Sequence, residues 1–307
     1  MTFNKNVKLT SCQIFATLPR VEIQLMENRL KNYCVLLLTI LLFTQCGHRQ
    51  ESPKMIDGVL DLSHHNFEKT GLVAIKGTAN FFWKKLYTSQ DFTQGSPTDK
   101  IALQIPKIWN EINKEGKKVG ASGFGTYHIR IKLPRKKMPL AFKVLTVGTS
   151  YKMFVNNKQI TEVGKVGTSK ETSRPEYRSL VVDFQNPTKE IDLFIQVSNF
   201  HYRYGGIWQQ ITLGLEKPIR KQRERYTIID FFLVGSIFIM GLYHLGLFLV
   251  RHKNHSALYF GLCCLLASVR LLVTNEYLVH HFMTNDWFVN IRLEYFTLHA
   301  GPLVFFW

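Results

Sequence analysis

Cysteine is absent from the long polar middle of this 307-residue chain, between Glu51 and Arg220. The absence excludes a disulfide framework and a thiolate metal site from that segment. The chain's five cysteines all lie outside it, at Cys12, Cys34, Cys46, Cys263 and Cys264. The last two are neighbours in an apolar stretch, where small polarizable side chains are expected to serve packing.

Sequence signatures of catalysis are also missing. The chain has no G-x-S-x-G nucleophile motif, no Walker phosphate loop and no H-E-x-x-H zinc motif. The histidines of the polar segment, His64, His65, His128 and His201, show none of the paired spacings typical of metal ligands. We therefore expect no enzyme active site, no metal and no cofactor in this chain.

Acidic residues are scarce relative to basic ones. The chain carries 39 Lys and Arg against 22 Asp and Glu, a formal net charge of +17. Between Glu51 and Arg220 there are 26 basic and 15 acidic residues, which leaves +11 there. The charge is scattered except for two dense runs, Arg135–Lys137 and Lys217–Arg225. Because no nucleic-acid-binding motif accompanies it, we expect a solvated surface or attraction to anionic lipid headgroups, and no nucleic acid partner.

A leader for export is predicted over residues 1–50. Met26–Gln50 has a basic start and an apolar stretch too short for the ~20 residues of a membrane span, as in a secretory signal. The tetrapeptide FTQC resembles a bacterial lipobox, although Gln45 stands where a small residue is usual. We expect lipidation of Cys46, with ordinary cleavage or an uncleaved anchor as alternatives. We also expect translation to start at Met26, because the residues before it do not resemble a signal.

Short strands are predicted in the polar segment. In GTYHIRIKL the odd-numbered residues from Tyr127 to Leu133 are apolar and alternate with polar ones, which is the period of a half-buried strand. The segments LAFKVLTVG, YKMFVNNKQI, SLVVDF and EIDLFIQVSNF repeat the signal, separated by Gly, Pro, Asn and Ser. Many short strands with few helical periods predict an antiparallel sandwich over residues 51–216.

A family resemblance adds to this pattern. The segments ANFFWKKL, IPKIWN, GFGTYHIRIKL, YKMFVNNKQITEVGKVG and VSNFHYRYGGIWQQITLG resemble the extracellular domain of bacterial seven-transmembrane receptors with diverse intracellular signalling modules. The resemblance covers about Val59–Gly214, and GLYHLGLFLVRHKNHSALYFGL resembles the opening of the seven-span region in the same receptors. It implies an all-β jelly-roll, galactose-binding-like sandwich followed by transmembrane α-helices.

One aromatic and polar loop, NFHYRYGGIW, is the candidate ligand site. Sugars are bound by exposed aromatic faces together with polar groups that contact the hydroxyls. The loop supplies both kinds of residue at Asn199, His201, Tyr202, Arg203, Tyr204 and Trp208, and its two glycines permit a tight turn. The alternative interpretation is structural, with Phe200 and Trp208 in the sandwich core and Asn199 bonded within its own turn.

Membrane spans are predicted after a basic juxtamembrane linker at residues 217–226. Thr227–Val250 is long enough to cross the hydrocarbon core, a second span covers about Ser256–Asn275, and a third starts near Asn290. Export of the sandwich places the loop RHKNH in the cytoplasm, which fits the positive-inside rule. Because residues 227–307 would then be the first three of seven spans, we expect the chain to be the N-terminal piece of a longer receptor.

Ionisable residues within these predicted spans are candidates for a functional role, because they are costly in lipid. Asp230 and Arg270 lie at similar depth from the outer end and could pair, whereas Glu294 is a rival partner for Arg270. The alternative without a functional role is that the Arg270 side chain snorkels to the membrane surface. His244 lies deeper and has no evident partner in the sequence.

Together these features predict a membrane-bound signal-transduction receptor. Its periplasmic sandwich would sense a ligand, with carbohydrate as one candidate class, and its spans would relay occupancy across the bacterial inner membrane to an effector outside this chain. The alternative is a membrane-anchored carbohydrate-binding or glycosidase-accessory protein, and a membrane enzyme is a third class. The expected partners are a small-molecule or carbohydrate ligand and membrane lipids, and a homodimer stays open.

Overall fold

The structure is a computed structural model that describes residues 53–305 apart from residues 94, 96, 115, 186–188, 254, 275 and 282–285. The predicted leader lies outside the described residues. Its translation start at Met26 and the lipidation of Cys46 therefore stay predictions.

Short strands make up the first part of the described chain. They are β1 (Val59–Asp61), β2 (Val73–Ile75), β3 (Gly77–Trp83), β4 (Ile101–Ile105), β5 (Lys107–Ile108), β6 (Asn113–Lys114), β7 (Lys117–Lys118), β8 (Gly123–Lys132), β9 (Pro139–Val144), β10 (Ser150–Val155), β11 (Lys158–Val163), β12 (Leu180–Gln185), β13 (Glu190–Asn199), β14 (Gly206–Ile207) and β15 (Ile211–Leu215). The strand segments predicted from alternation coincide with β8 to β13.

Most of these strands form two facing sheets. One sheet has the order β11-β10-β13-β8-β3-β4, with β1 also paired to β8, and the other has the order β12-β9-β15-β2. The alternation in β8 sends Tyr127, Ile129 and Ile131 into a single apolar core, where they meet Phe142 and Leu213 of the four-stranded sheet. All five side chains are fully buried. The predicted all-β sandwich is therefore confirmed.

Three helices follow the sandwich: α1 (Glu216–Val250), α2 (His255–Val273) and α3 (Trp287–Phe305). Among the described residues α1 and α2 are long and apolar enough to cross a membrane, with mean hydropathies of 2.1 and 1.9. The third predicted span corresponds to α3, which carries Arg292 and Glu294 and is not among the helices that reach that apolarity. The prediction of apolar helices after a sandwich is confirmed, and a crossing by α3 stays a prediction.

The basic segment predicted as a juxtamembrane linker forms the first three turns of α1, which is continuous to Val250. These turns pack on the outer face of the four-stranded sheet. Ile219 is fully buried there and approaches Gly214 of β15. Arg220 bonds to Asp183 of β12 and to Glu216. The N-terminal turns of α1 are therefore fixed to the sandwich, and the apolar part of the helix begins after them.

Candidate functional site

The loop after β13 is shaped by the amide of Asn199, which is fully buried. Its Nδ2 donates to the carbonyl oxygens of Ala121 at 3.0 Å, Tyr202 at 2.8 Å and Tyr204 at 3.1 Å. Its Oδ1 accepts from the backbone N–H of Tyr202 at 3.1 Å. Asn199 therefore uses its hydrogen-bonding groups to fold its own loop, as the structural interpretation predicts.

Two glycines press the same loop onto a buried tryptophan. A Cβ at Gly205 would lie 2.0 Å from Nε1 of Trp109, so only glycine fits there. Gly206 has φ +96°, a conformation that side chains disfavour. Trp109 is fully buried and donates from Nε1 to the carbonyl oxygen of Ala121 at 3.0 Å. The backbone of the loop is thus anchored in the sandwich.

The side chains of the loop point toward the helices. Tyr202 and Trp208 pack on a buried aromatic cluster of Tyr177, Tyr277 and Trp287, which we call the aromatic cluster. Ring centroids of Tyr177 lie 5.8 Å from Trp287 and 6.3 Å from Tyr202. Because Tyr277 and Trp287 belong to the helical part, this cluster joins the sandwich to the helices.

The other candidate ligand residues lie around the aromatic cluster. His201 is half-buried, with its ring 6.3 Å from that of Trp287. Arg203 and Tyr204 are exposed, and the guanidinium of Arg203 lies 4.7 Å from the centre of Tyr204 and 5.7 Å from that of Tyr295 in α3. The structure brings the six predicted residues together at the sandwich–helix boundary. Ligand contact by any of them stays a prediction.

A buried ion pair forms the second half of this boundary. Lys143 of β9 points away from the core toward the outer face of its sheet, and its Nζ lies 2.5 Å from Oε1 of Glu276. Glu276 belongs to the segment between α2 and α3, and both residues are 7% exposed. Ser179 donates from Oγ to Oε2 of Glu276 at 2.6 Å, and Nε of Arg223 lies 3.7 Å from the same oxygen. A loop from the helical part is therefore inserted into a polar socket of the sandwich.

Further contacts hold the same loop against the sandwich. The Nε2 atom of His280 lies 2.8 Å from the backbone carbonyl oxygen of Tyr177. Burial raises the pKa of Tyr177 and of Tyr277 above the ordinary tyrosine value. We name the segment Glu276–His281 the docking loop. Its contacts with Lys143, Ser179 and Tyr177 were missed from the sequence.

The polar residues of the helices do not form the expected pair of Arg270 with Asp230. Nη1 of Arg270 donates to the backbone carbonyl oxygen of Glu294 at 3.1 Å, which links α2 to α3. No ion pair among the described residues joins Arg270 to Asp230. His244 lies 2.9 Å from the carbonyl oxygen of Met240 through its Nδ1 atom. Arg270 therefore contacts Glu294 and not Asp230, and it does so through the backbone carbonyl of Glu294 rather than through the carboxylate.

A separate polar depression lies on the outer face of the seven-stranded sheet, with a volume of about 330 Å³. Asp192 accepts hydrogen bonds there from Nε2 of His128 at 2.8 Å and from Nε of Arg130 at 3.2 Å. The bond from His128, with the one from Arg130, holds the pKa of Asp192 below its ordinary value. Phe92 and Phe194 also line the depression. It combines fixed polar groups with aromatic surface, which is the residue composition that sugar sites use.

No metal-binding group is found in the described part of the chain, where no three His, Cys, Asp or Glu side chains come together. The donors needed to hold a metal are instead used in pairs, as in Asp192 with His128 and Glu276 with Lys143.

Comparison with known proteins bears on the helical part. Residues 226–307 match the family described as 7TM diverse intracellular signalling, which supports a membrane receptor role. No curated protein matches the sequence.

Among solved structures, glycoside hydrolases match the sandwich distantly. A β-glucuronidase from an uncultured Clostridium sp. is 18% identical, covering 46% of this chain and 28% of its own, with a TM-score of 0.35. A GH2 β-galacturonidase from Eisenbergiella tayi is 14% identical, covering 47% and 24%, with a TM-score of 0.34. A glycosyl hydrolase family 2 member from Bacteroides cellulosilyticus DSM 14838 is 14% identical, covering 47% and 20%, with a TM-score of 0.36. The matched part spans less than a third of each of these enzymes, and at such TM-scores nothing about this chain's function follows from theirs.

Proposed function

We propose that this chain, whose residues 226–307 match the family described as 7TM diverse intracellular signalling, is a receptor of the bacterial inner membrane that senses a ligand in the periplasm. The sandwich binds the ligand, and the helices relay its occupancy to an effector outside this chain. In this proposal the chain itself has no catalytic role.

The observation that carries the proposal is the insertion of the docking loop into the sandwich. Glu276 is contacted by Lys143 and Ser179 from the sandwich and by Arg223 from α1. In the proposal a rearrangement of β8 or β13 reaches β9 across the core that the two sheets share. A shift of β9 or β12 then acts on the docking loop directly and on α1 through Arg223. Because the docking loop joins α2 to α3, its displacement changes the position of both helices.

The relay is limited by energetics. A ligand can shift the helices only by the difference between its affinities for two arrangements of the receptor. Removing the buried Glu276 carboxylate from Lys143 without replacement would cost several kcal/mol by general experience with buried pairs. A ligand can meet that requirement only if the opened state hydrates both charges.

Carbohydrate is the ligand class that we propose, bound in the depression at Asp192. Arg130 and Asp192 present oriented donors and acceptors, and Phe92 presents aromatic surface for sugar C–H groups. The volume of about 330 Å³ suits one sugar ring. Asp192→Asn and Arg130→Gln should each weaken sugar binding, whereas Lys69→Gln, an exposed change elsewhere on the sandwich, should not.

The test uses the full chain in phospholipid nanodiscs. A panel of mono- and oligosaccharides is screened by thermal shift, and amide hydrogen exchange of the docking loop is then compared with and without each sugar that binds. The proposal predicts that a bound sugar changes exchange in the docking loop of the wild-type chain and not in Glu276→Gln. Binding that leaves the docking loop unchanged would instead favour a protein that is merely anchored by its helices.

A further inference from the structure

A cationic cleft lies beside the N-terminus of α3, at the same boundary but outside the docking loop. Its volume is about 750 Å³. The sandwich side is lined by Lys165, Arg174 and Arg178, and the helix side by Trp287 and Phe288. One wall is therefore basic and the other is aromatic.

Two of the cations are placed side by side by the backbone. Lys165 and Arg174 face each other in an antiparallel bridge, with N–H to O distances of 2.9 Å from Lys165 and 3.0 Å from Arg174. Directly opposed residues of such a pair project their side chains on the same side, and like charges in that position repel each other. Both residues are exposed, and neither forms an ion pair within the part of the chain that the structure describes.

The acidic residues of the cleft are engaged elsewhere. Glu176 binds Nη2 of Arg178 at 2.8 Å and accepts from the backbone N–H of Gly164 at 3.1 Å. Asp286 accepts from the backbone N–H of Phe288 at 2.8 Å, where it offsets the positive end of the α3 dipole. The charge of Lys165 and Arg174 is therefore left for an anion from outside the chain.

The helix wall of the cleft is apolar and exposed. Phe288, which lines the cleft, is 49% exposed in the first turn of α3, and Trp287 beside it is 4% exposed. Outside the cleft, Val289 and Phe296 of the same helix are 38% and 61% exposed. An anion that binds here would thus carry an apolar part along α3. Aromatic residues at the end of a helix are also typical of the membrane–water boundary.

We propose that this cleft binds the headgroup of an anionic phospholipid from the outer leaflet, with its phosphate between Lys165 and Arg174 and its acyl chains along Phe288 and α3. The orientation rests on the proposed function, which places the sandwich outside the cytoplasm. The bound lipid would fix the end of the sandwich against α3 and so set the resting position of the relay. The mixed chemistry of the two walls matches a phospholipid better than a soluble anion, which has no apolar part.

The test counts lipids on the intact chain. The protein is reconstituted in nanodiscs of phosphatidylcholine with part replaced by phosphatidylglycerol, released in mild detergent and weighed by native mass spectrometry. Wild-type protein should retain phosphatidylglycerol in preference to phosphatidylcholine. The preference should fall on the order of tenfold in Lys165→Gln/Arg174→Gln. It should survive in Lys165→Arg/Arg174→Lys, and in the exposed control Lys69→Gln/Lys137→Gln.

Two results would overturn the proposal. One is an equal lipid preference in the wild type and the glutamine double variant. The other is stabilisation by inorganic phosphate or glycerol 3-phosphate in pure phosphatidylcholine nanodiscs as strong as that by phosphatidylglycerol, which would assign the cleft to a soluble anion. No sugar is present in these measurements, so their outcome is independent of whether the chain relays a sugar signal.

Discussion

The sandwich core and the sandwich–helix boundary both bury aromatic rings, but with different neighbours. In the core Phe81, Tyr127 and Phe142 pack among other apolar side chains, both aliphatic and aromatic. At the boundary the aromatic cluster lies near a buried ion pair, Lys143 with Glu276. The buried charges of the boundary can be hydrated when that interface opens, whereas the apolar core side chains gain nothing from contact with water. The difference suggests that the core provides stability and that the boundary is the part suited to reversible change.

The largest effect is expected from breaking the core. Phe142 is fully buried and stacks on Phe184 with ring centroids 4.8 Å apart. Phe142→Ala should lower the free energy of unfolding by about 3–5 kcal/mol through lost burial and a cavity. The loss should be similar in the sandwich alone and in the full chain, as measured by denaturant unfolding. A loss confined to the full chain would contradict the separation of core and boundary.

A change at Lys143 should destabilise the full chain but not the isolated sandwich. In the full chain Lys143→Met leaves Glu276 buried without its main cation, at a cost of about 3 kcal/mol. In a fragment of residues 51–225, which lacks Glu276, the same change should be close to neutral. Thermal unfolding of both proteins measures the contrast, and equal destabilisation in the two would show that Lys143 serves the sandwich rather than the boundary.

A smaller effect is expected where α1 covers the sheet. Ile219 is fully buried on the outer face of the four-stranded sheet. A fragment of residues 51–225 should therefore be more stable than one of residues 51–216, by about 2 kcal/mol for the burial of one such side chain. Ile219→Ser in the longer fragment is the matched control and should remove most of the gain. Identical melting temperatures of the two fragments would mean that the contact of α1 with the sheet does not stabilise the sandwich.

The smallest effect is a pH dependence at His201. Burial, with a contribution from Lys170, lowers the pKa of His201 below its ordinary value. The unfolded chain then binds a proton at a higher pH than the folded one, so this stabilising contribution is present above about pH 6.5 and is lost as the pH falls toward the folded-state pKa. The melting temperature of the wild type should therefore drop slightly more than that of His201→Gln between pH 7.5 and 5.5. A larger drop in the variant would contradict the direction of the shift.

Much of the fold could be predicted from local sequence, because the signals that define a strand are local. The alternation in β8 identified which residues enter the core. The segment YKMFVNNKQI likewise gave β10 and β11, which are joined at Asn156 and Asn157, where Asn156 has φ 53°. The apolar run after residue 226 likewise indicated helices. These features need no knowledge of distant parts of the chain.

The boundary was harder to predict, because its contacts join distant positions. Lys143 and Glu276 are 133 residues apart, and neither is unusual in isolation. One signal was available: Lys143 interrupts the apolar run LAFKVL, and a charge on such a strand needs a partner. The loop from Asn199 to Trp208 contains residue types that stack on sugars, but the same types stack on one another. Tyr202 and Trp208 pack against rings of the helical part, which sequence alone could not distinguish from a ligand.

We propose that the sandwich and the helices are coupled through the contact of Lys143 with Glu276. The most direct measurement is a double-mutant cycle of Lys143→Met, Glu276→Leu and the pair, in the full chain in nanodiscs, with amide hydrogen exchange of the docking loop as the readout. We expect each single change to increase exchange, and the double change to restore protection with a coupling energy of about 1–3 kcal/mol. Single effects that simply add in the double variant would contradict the coupling.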